Sequence, residues 1–435
     1  MAQPSVTRLT DLASEISKNT AIITDYLASK SLPATSFDAD GLAELPIPPE
    51  DKVTLQARFD LAAATKELHD LTVGPKQSLH DLVWDLSTLS TRFIWEFNVA
   101  ACVSLDSPIS FSDLTAKISA ANGNLPLGVM NVRRLLRHAM TNRIFCEPTK
   151  GYVAHTRASR LLLEDEPMRN WTGLVTGDLW LPTAHTVDAM KKWPCSEEPT
   201  ETGVNLAYGH DMAFFDFLPA DPARAKRYNL AMKAHGNSAG YDGKDVVDGY
   251  PWGELPENAK VVDVGGNQGY ISFAIAEKFP KLRFVVQDQA SMRTPETIAK
   301  VPDALRERVQ LTTHDFFKEQ TEVGAAVYFF RMIFHGFSDK YCVKILQALA
   351  PALRKGGKVV INDGALPEPG TATYLEERAC RTMDLLMQVV VNAREREADD
   401  WTDIFSEADR RYRVNRVWTP EGSTMSFIEA EWTGE

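Results

Sequence analysis

The spacing of apolar and polar positions changes along the chain, and the change divides it. Up to about residue 75 the spacing is helical. One segment, from about Val6 to Ala28, carries Leu9, Leu12, Ile16, Ile22 and Ile23 on one side, and a second, about Val53 to Leu71, is rich in alanine and leucine. A polar, proline-bearing stretch from Ser31 to Asp51 separates them. From Gln77 to Val103 the helical spacing turns strongly apolar, with Leu79, Leu82, Val83, Leu86, Leu89, Phe93, Ile94 and Phe97. That stripe is wide enough to predict a core shared with a second copy. A helix start at Phe111-Ser-Asp, a helix over Val129 to Met140 and a hairpin from Ile144 to His155 together predict a winged helix. Residues 157 to 250 read as mostly helical, and Gly249, Pro251, Gly253 and Pro256 then break the pattern.

Past residue 258 the period shortens. Apolar, β-branched runs predict strands at 260–264, 283–288, 308–312, 325–330, 357–363, about 412–418 and 424–432. Helices are expected between the first five, and the last two form a hairpin around Pro420-Glu-Gly-Ser. The predicted fold is α/β: a doubly wound, Rossmann-like domain with one antiparallel edge strand, preceded by a mainly α winged-helix domain. The expected divisions are an N-terminal helical extension (1–75), the winged helix (76–165), a helical linker and pocket region (166–258) and the α/β domain (259–435).

Composition narrows the class. With 44% hydrophobic and 24% charged residues, the 435-residue chain reads as an ordinary globular protein of two or three domains. No apolar run approaches the roughly 18 residues of a membrane span, so no membrane partner is expected. The N-terminus lacks the charged and apolar regions of a signal peptide, and five scattered cysteines without a Cys-x-x-Cys pair fit free thiols in a reducing compartment. The expected address is the cytoplasm. A winged helix bearing Arg133, Arg134 and Arg137 has a DNA-binding reading, but the net charge of −12 argues against a nucleic-acid partner and for a dimerisation and lid module.

The chemistry is concentrated at one stretch, Lys260-Val-Val-Asp-Val-Gly-Gly-Asn-Gln-Gly-Tyr270. A strand runs into a glycine turn, and helical spacing resumes through Ile271, Ala274, Ile275 and Lys278. A second strand, Phe284-Val-Val-Gln-Asp, ends on Asp288, placed to accept from both hydroxyls of a ribose. Asn267 and Tyr270 stand where the dinucleotide fingerprint needs its later glycines. The turn therefore suits a nucleoside cofactor without a pyrophosphate, S-adenosyl-L-methionine. Asp315 can accept from an adenine amine while Phe316 covers the ring, and Arg331 and His335 follow the fourth strand. His335 has Asp363 and Glu395 as candidate carboxylate partners; such a pair fixes the imidazole tautomer and makes a base for a phenol. No metal-ligand cluster is visible in the pattern.

These stretches resemble a known family. Val-Asp-Val-Gly-Gly-Asn-Gln-Gly, His-Asp-Phe-Phe, Phe-Phe-Arg-Met-Ile-Phe-His-Gly-Phe-Ser-Asp, Ile-Asn-Asp-Gly-Ala-Leu-Pro-Glu-Pro-Gly and Asn-Ala-Arg-Glu-Arg-Glu, in this order, are similar to the S-adenosylmethionine-dependent O-methyltransferases of plant caffeate type and fungal secondary metabolism. The winged-helix half resembles that family's dimerisation domain. The resemblance implies that Gly265 and Gly266 meet the methionine portion, Asp288 the ribose, Asp315 and Phe316 the adenine, and that Arg331 touches the cofactor. It implies His335 as base beside Asp363 and Glu395, and a homodimer. Met232 matches a pocket methionine; Asn229, Trp180 and His155 are the further expected substrate-binding residues. The implied substrate is a small phenolic or enolic compound, aromatic or polyketide-type. A second reading keeps the fold and the bound cofactor but replaces methyl transfer by a pericyclic or dehydration step.

Overall fold

The computed structural model describes residues 7–48, 50–236 and 240–434; Val6, the expected start of the first helix, lies outside them. The chain separates into two compact units. One comprises Met1–Asp178 with Lys226–Met232, the other Leu179–Ala225 with Lys233–Glu435. The expected linker region, 166–258, is thus divided between them.

In the first unit, helices Arg8–Ser29 and Lys52–Val83 lie against each other, and Arg8 Nε donates to Glu67 Oε1 at 2.7 Å. The second helix outruns the expected end at Leu71. Gly74, at φ +78°, breaks the backbone, but Pro75 has the fixed φ that restarts a helix. The first half of the apolar stripe that follows does not go into this unit's core: Leu82 is 67%, Val83 75% and Trp84 71% exposed. The core lies further on, where Ile94, Leu114, Ile118, Val132, Leu136 and Val153 pack together. Strands β1 (Ile109–Ser110), β2 (Cys146–Thr149) and β3 (Tyr152–Ala154) form a small antiparallel sheet in the order β1-β3-β2. With helices Phe111–Ala121 and Val129–Thr141 this completes the winged helix.

The second unit is built on a sheet of seven strands among the described residues. They are β4 (Lys260–Val264), β5 (Arg283–Asp288), β6 (Val309–Thr313), β7 (Val327–Arg331), β8 (Lys358–Gly364), β9 (Tyr412–Trp418) and β10 (Met425–Trp432). Their order is β6-β5-β4-β7-β8-β10-β9. Strands β4 to β8 are mutually parallel, and β10 alone runs against its neighbours β8 and β9. A terminal hairpin adds one reversed strand, and here that strand lies inside while β9 forms the edge. Both faces are covered: Tyr328, Phe330, Ile361 and Ile428 pack with Leu346 and Trp401 in one cluster, and Val261, Phe284, Val286 and Phe329 with Trp252 and Ile275 in another. The expected helix between β6 and β7 is not formed. Residues 314–326 form a chain of turns and bends that carries Phe316 and Phe317 against Phe337. The order reverses between β4 and β7, which is where a ligand crevice belongs in a sheet of this type.

Candidate active site

The site grows from the carboxyl ends of β4, β5, β6, β7 and β8. At the end of β4 the backbone turns through Gly265 (φ +78°), Asn267 (φ +50°) and Gly269 (φ +87°) into helix Tyr270–Lys278. The N–H groups of Gly265 and Gly266 donate to the Gln287 carbonyl at 2.9 and 3.1 Å, binding the turn to β5. A Cβ on Gly266 would lie 2.4 Å from Asp263 Oδ2 and 2.7 Å from Val286 Cγ1; one on Gly265 would lie 2.6 Å from Ile333 Cδ1. Only bare backbone packs this closely, and glycine backbone is what a ligand can approach most nearly. Asp263 beneath it accepts from Ser272 Oγ at 2.6 Å, and its burial pushes its carboxyl up to about 6.

Asp288 ends β5 with one carboxylate oxygen on the Asn267 N–H (2.8 Å) and the other on the Gln289 N–H (2.7 Å). It therefore stands over the turn, and each oxygen keeps a further lone pair for a hydroxyl donor. Arg293 staples the edge: it donates to the carbonyls of Thr312 (2.8 Å), Asn267 (2.6 Å) and Val286 (3.1 Å). Next to it, Thr312 Oγ1 and His314 Nε2 are buried without a hydrogen-bond partner. Asp315 accepts from the Phe317 N–H at 3.0 Å, and Phe316 meets Phe337 edge-on at 5.6 Å. Bare glycine backbone, an acid at the second strand tip and unfilled polar atoms at the third fit a nucleoside bearing no phosphate.

From β7 the chain enters a single 3-10 turn, Phe334–Gly336, that carries His335. Arg331 before it is largely buried and donates to Asn362 Oδ1 and to the Tyr241 carbonyl, each at 3.1 Å. Met332 has φ +55°, a left-handed conformation uncommon for methionine, held by its N–H to the Asn362 carbonyl at 3.0 Å. His335 Nδ1 lies 3.0 Å from Glu395 Oε1. Glu395 accepts only, so Nδ1 carries the hydrogen and Nε2 is left as the acceptor. Asp363, at the end of β8, takes the Phe334 and His335 amides on Oδ2 at 2.9 and 3.3 Å. Its Oδ1, like Glu395 Oε2, is buried without a hydrogen-bond partner.

Charge sets the titration here. Burial pulls the His335 imidazole down, but the Asp363 charge and the Glu395 hydrogen bond outweigh it, and its pKa ends above the ordinary histidine value. Asp363 is pushed up to about 6, burial outweighing the imidazole's opposite effect. In front of His335 and Glu395 lies a small, partly open space of about 20 Å³ lined by Tyr241, Met332, Cys380, Met383 and Met425. That is room for about one water molecule. Thioether side chains are the most adaptable walls a pocket can have.

The expected residues fall into two groups. Gly265, Gly266, Asp288, Asp315, Phe316, Arg331, His335, Asp363 and Glu395 share one sheet edge in the second unit, which also contains Trp180, at the start of helix Trp180–Lys192. Met232, Asn229 and His155 belong to the first unit. His155 is 5% exposed and its ring nitrogens engage Ser159 Oγ (2.9 Å) and the Val103 carbonyl (3.3 Å), contacts of a core residue. Tyr241, Met332, Cys380, Met425, Arg293 and Asp384, which accepts the Glu395 N–H at 2.9 Å, were not among the expected residues. The Met332 backbone conformation and the place of Tyr241 on the pocket wall have no local signature.

Comparison with known proteins agrees with this architecture. Residues 195–410 match the O-methyltransferase domain family. The chain is 35% identical to the chlorophenol O-methyltransferase of Trichoderma longibrachiatum, over 98% of this chain and 90% of that one. Among solved structures, OxaC in complex with S-adenosylhomocysteine and oxaline superposes with a TM-score of 0.69 at 23% identity, covering 98% of this chain and 99% of that one. A structure described as a pericyclic reaction enzyme superposes with a TM-score of 0.68 at 18% identity, covering 97% of this chain and all of that one. The fold is therefore shared across more than one chemistry, and the sequence identity assigns the group: this chain belongs to the O-methyltransferase family.

Proposed function

We propose that this O-methyltransferase methylates a phenolic or enolic hydroxyl of a small, aromatic or polyketide-type metabolite, with His335 as the general base. S-Adenosylmethionine is the cofactor, and when bound it supplies an electrophilic methyl group on a sulfonium. The glycine turn at Gly265 and Gly266, Asp288, Asp315, Phe316 and Arg331 are the residues suited to hold it. His335 Nε2 takes the hydroxyl proton as the oxygen becomes nucleophilic. Glu395 keeps the imidazole in the tautomer that can accept and, with Asp363, stabilises the imidazolium. The thioethers of Met332, Met383 and Met425 exclude water and grip an aromatic face. A phenol has an ordinary pKa of about 10, so a base with a raised pKa narrows the gap the proton must cross.

The observation that carries this reading is the partly buried His335 beside the buried Glu395 and Asp363, on the same sheet edge as a turn that admits no side chain. The phenolic substrate named for the Trichoderma relative supports the substrate class. The exposed stripe of Leu79, Leu82, Val83, Trp84, Leu86 and Leu89 supports a homodimer, since apolar patches of this size are normally covered. Five free cysteines support a reducing, cytosolic setting.

His335→Ala tests the base. It should leave S-adenosylhomocysteine affinity by calorimetry unchanged and lower kcat by about 10²- to 10⁴-fold. A variant that keeps the parental kcat would remove His335 from the mechanism.

A further inference from the structure

Arg396 is wholly buried, 0% exposed, and takes no part in the proton transfer above. A buried guanidinium is costly unless its charge is paired and its donors are met. Here they are met. Nη1 donates to the carbonyls of Phe334 (2.9 Å) and Arg394 (3.2 Å), and Nη2 to the carbonyl of Phe337 (2.7 Å). Nη2 and Nε also donate to Asp339 Oδ1 at 2.9 and 3.0 Å. The Cys342 sulfur lies 3.2 Å from Nη2, and the Trp401 ring lies beneath, 5.3 Å from Cζ to centroid.

Two of these acceptors bracket His335. A single 3-10 turn has too few internal hydrogen bonds to fix its own position. Asp363 takes the amides at the start of this turn and Arg396 the carbonyls around it, so a buried anion and a buried cation grip it from opposite ends. The backbone of Arg396 does the rest: its carbonyl accepts from the Leu366 N–H at 2.8 Å, tying the loop to the exit of β8, and its neighbour Glu395 meets Nδ1.

We propose that Arg396 is the positioning residue of the His335–Glu395 pair: its guanidinium fork holds the turn that carries the imidazole, while its backbone holds the adjacent glutamate. The proposal rests on the reading of His335 as the base. Lysine keeps the charge but lacks the planar fork, so it cannot reach the Phe334 carbonyl, the Phe337 carbonyl and Asp339 together. The charge has a separate effect. Asp363 and Glu395 face His335 and raise its pKa, Arg396 faces it and lowers it, and His235 stands close enough to be lowered by the imidazolium. Losing the fork and losing the charge are therefore separable.

The experiment compares Arg396→Lys and Arg396→Gln with the parent by steady-state kinetics and by NMR of labelled histidine rings, His335→Gln giving the assignment. Arg396→Lys should bind S-adenosylhomocysteine as the parent does and lose about 10²-fold in kcat, the scale of a misplaced catalytic group, with KM nearly constant. Its Nδ1 proton signal should broaden away while the His335 pKa stays put. Arg396→Gln should move that pKa upward. The proposal is overturned if Arg396→Lys stays within about threefold of the parental kcat, or if kcat, cofactor affinity and thermal midpoint fall together. Should neither Arg396 variant fold, Asp339→Asn decides: a lower kcat with intact cofactor affinity supports the clamp, and an unchanged kcat with an unchanged Nδ1 proton overturns it. A parent that transfers no methyl group removes the proposed function but leaves the NMR comparison to decide on Arg396.

Discussion

At His335 two opposed effects of similar kind decide the chemistry. Burial disfavours the imidazolium, and two buried carboxylates favour it more, so the pKa is raised. The sign of the pH dependence follows. As the proposed base, His335 works only when neutral, so kcat/KM should rise with pH through that raised pKa. Glu395→Gln removes one of the two carboxylates while keeping a hydrogen-bond acceptor. Its acidic limb should therefore shift to lower pH, and kcat should fall because the imidazolium is less stabilised; an acidic limb that does not move would mean Glu395 is not coupled to His335. The group was legible in the sequence as a histidine after the fourth strand, an acid after the fifth and a further acid, Glu395, later in the chain. Arg396 was not. In Arg394-Glu395-Arg396-Glu397 alternating charges look like a solvated loop, and only the tertiary cage of carbonyls, Asp339 and Trp401 takes one of them fully inside.

Among the elements, the strands were the most legible because buried parallel strands need continuous β-branched or aromatic runs. Val261-Val262 in β4, Phe284-Val285-Val286 in β5 and Val359-Val360-Ile361 in β8 are such runs, all within 7% exposure. The missing helix between β6 and β7 was not legible: the aromatic pair Phe316-Phe317 leaves helical spacing to pack on Phe337. The glycine turn lends itself to a direct test. A methyl at Gly266 collides with Asp263 and Val286, both fixed in the sheet. Gly266→Ala should lose about 1–3 kcal/mol of stability, as overpacked sites do, and bind S-adenosylhomocysteine more weakly by calorimetry. Unchanged melting and unchanged affinity would show that the turn relaxes freely and is no cradle.

Across the whole molecule, the change of hydrophobic period near residue 258 marked the α/β half, but not that Leu179–Ala225 folds with it. Its helices Trp180–Lys192 and Gly203–Tyr208 pack on helix Tyr374–Val391, and isolated polar links complete the tie: Ser338 Oγ and Asn392 Nδ2 donate to the carbonyls of Glu197 and Ser196, and Lys340 pairs with Glu198. Such links leave no periodic trace. The pocket walls share this difficulty, since Tyr241, Met332, Cys380 and Met425 come from segments far apart in sequence. At this scale the proposed homodimer has its own test. Leu82→Glu with Trp84→Glu puts charge on the exposed stripe, and light scattering should then report a monomer where the parent is a dimer; a parent that is already monomeric contradicts the assignment. The central claim is methyl transfer, and it is tested most directly with cofactor carrying a deuterated methyl group, offered with phenols and enols and read by mass spectrometry. The account predicts a product that has gained the labelled methyl in place of one hydrogen, with one S-adenosylhomocysteine formed per product. A substrate isomerised or dehydrated while the labelled cofactor stays intact would contradict it.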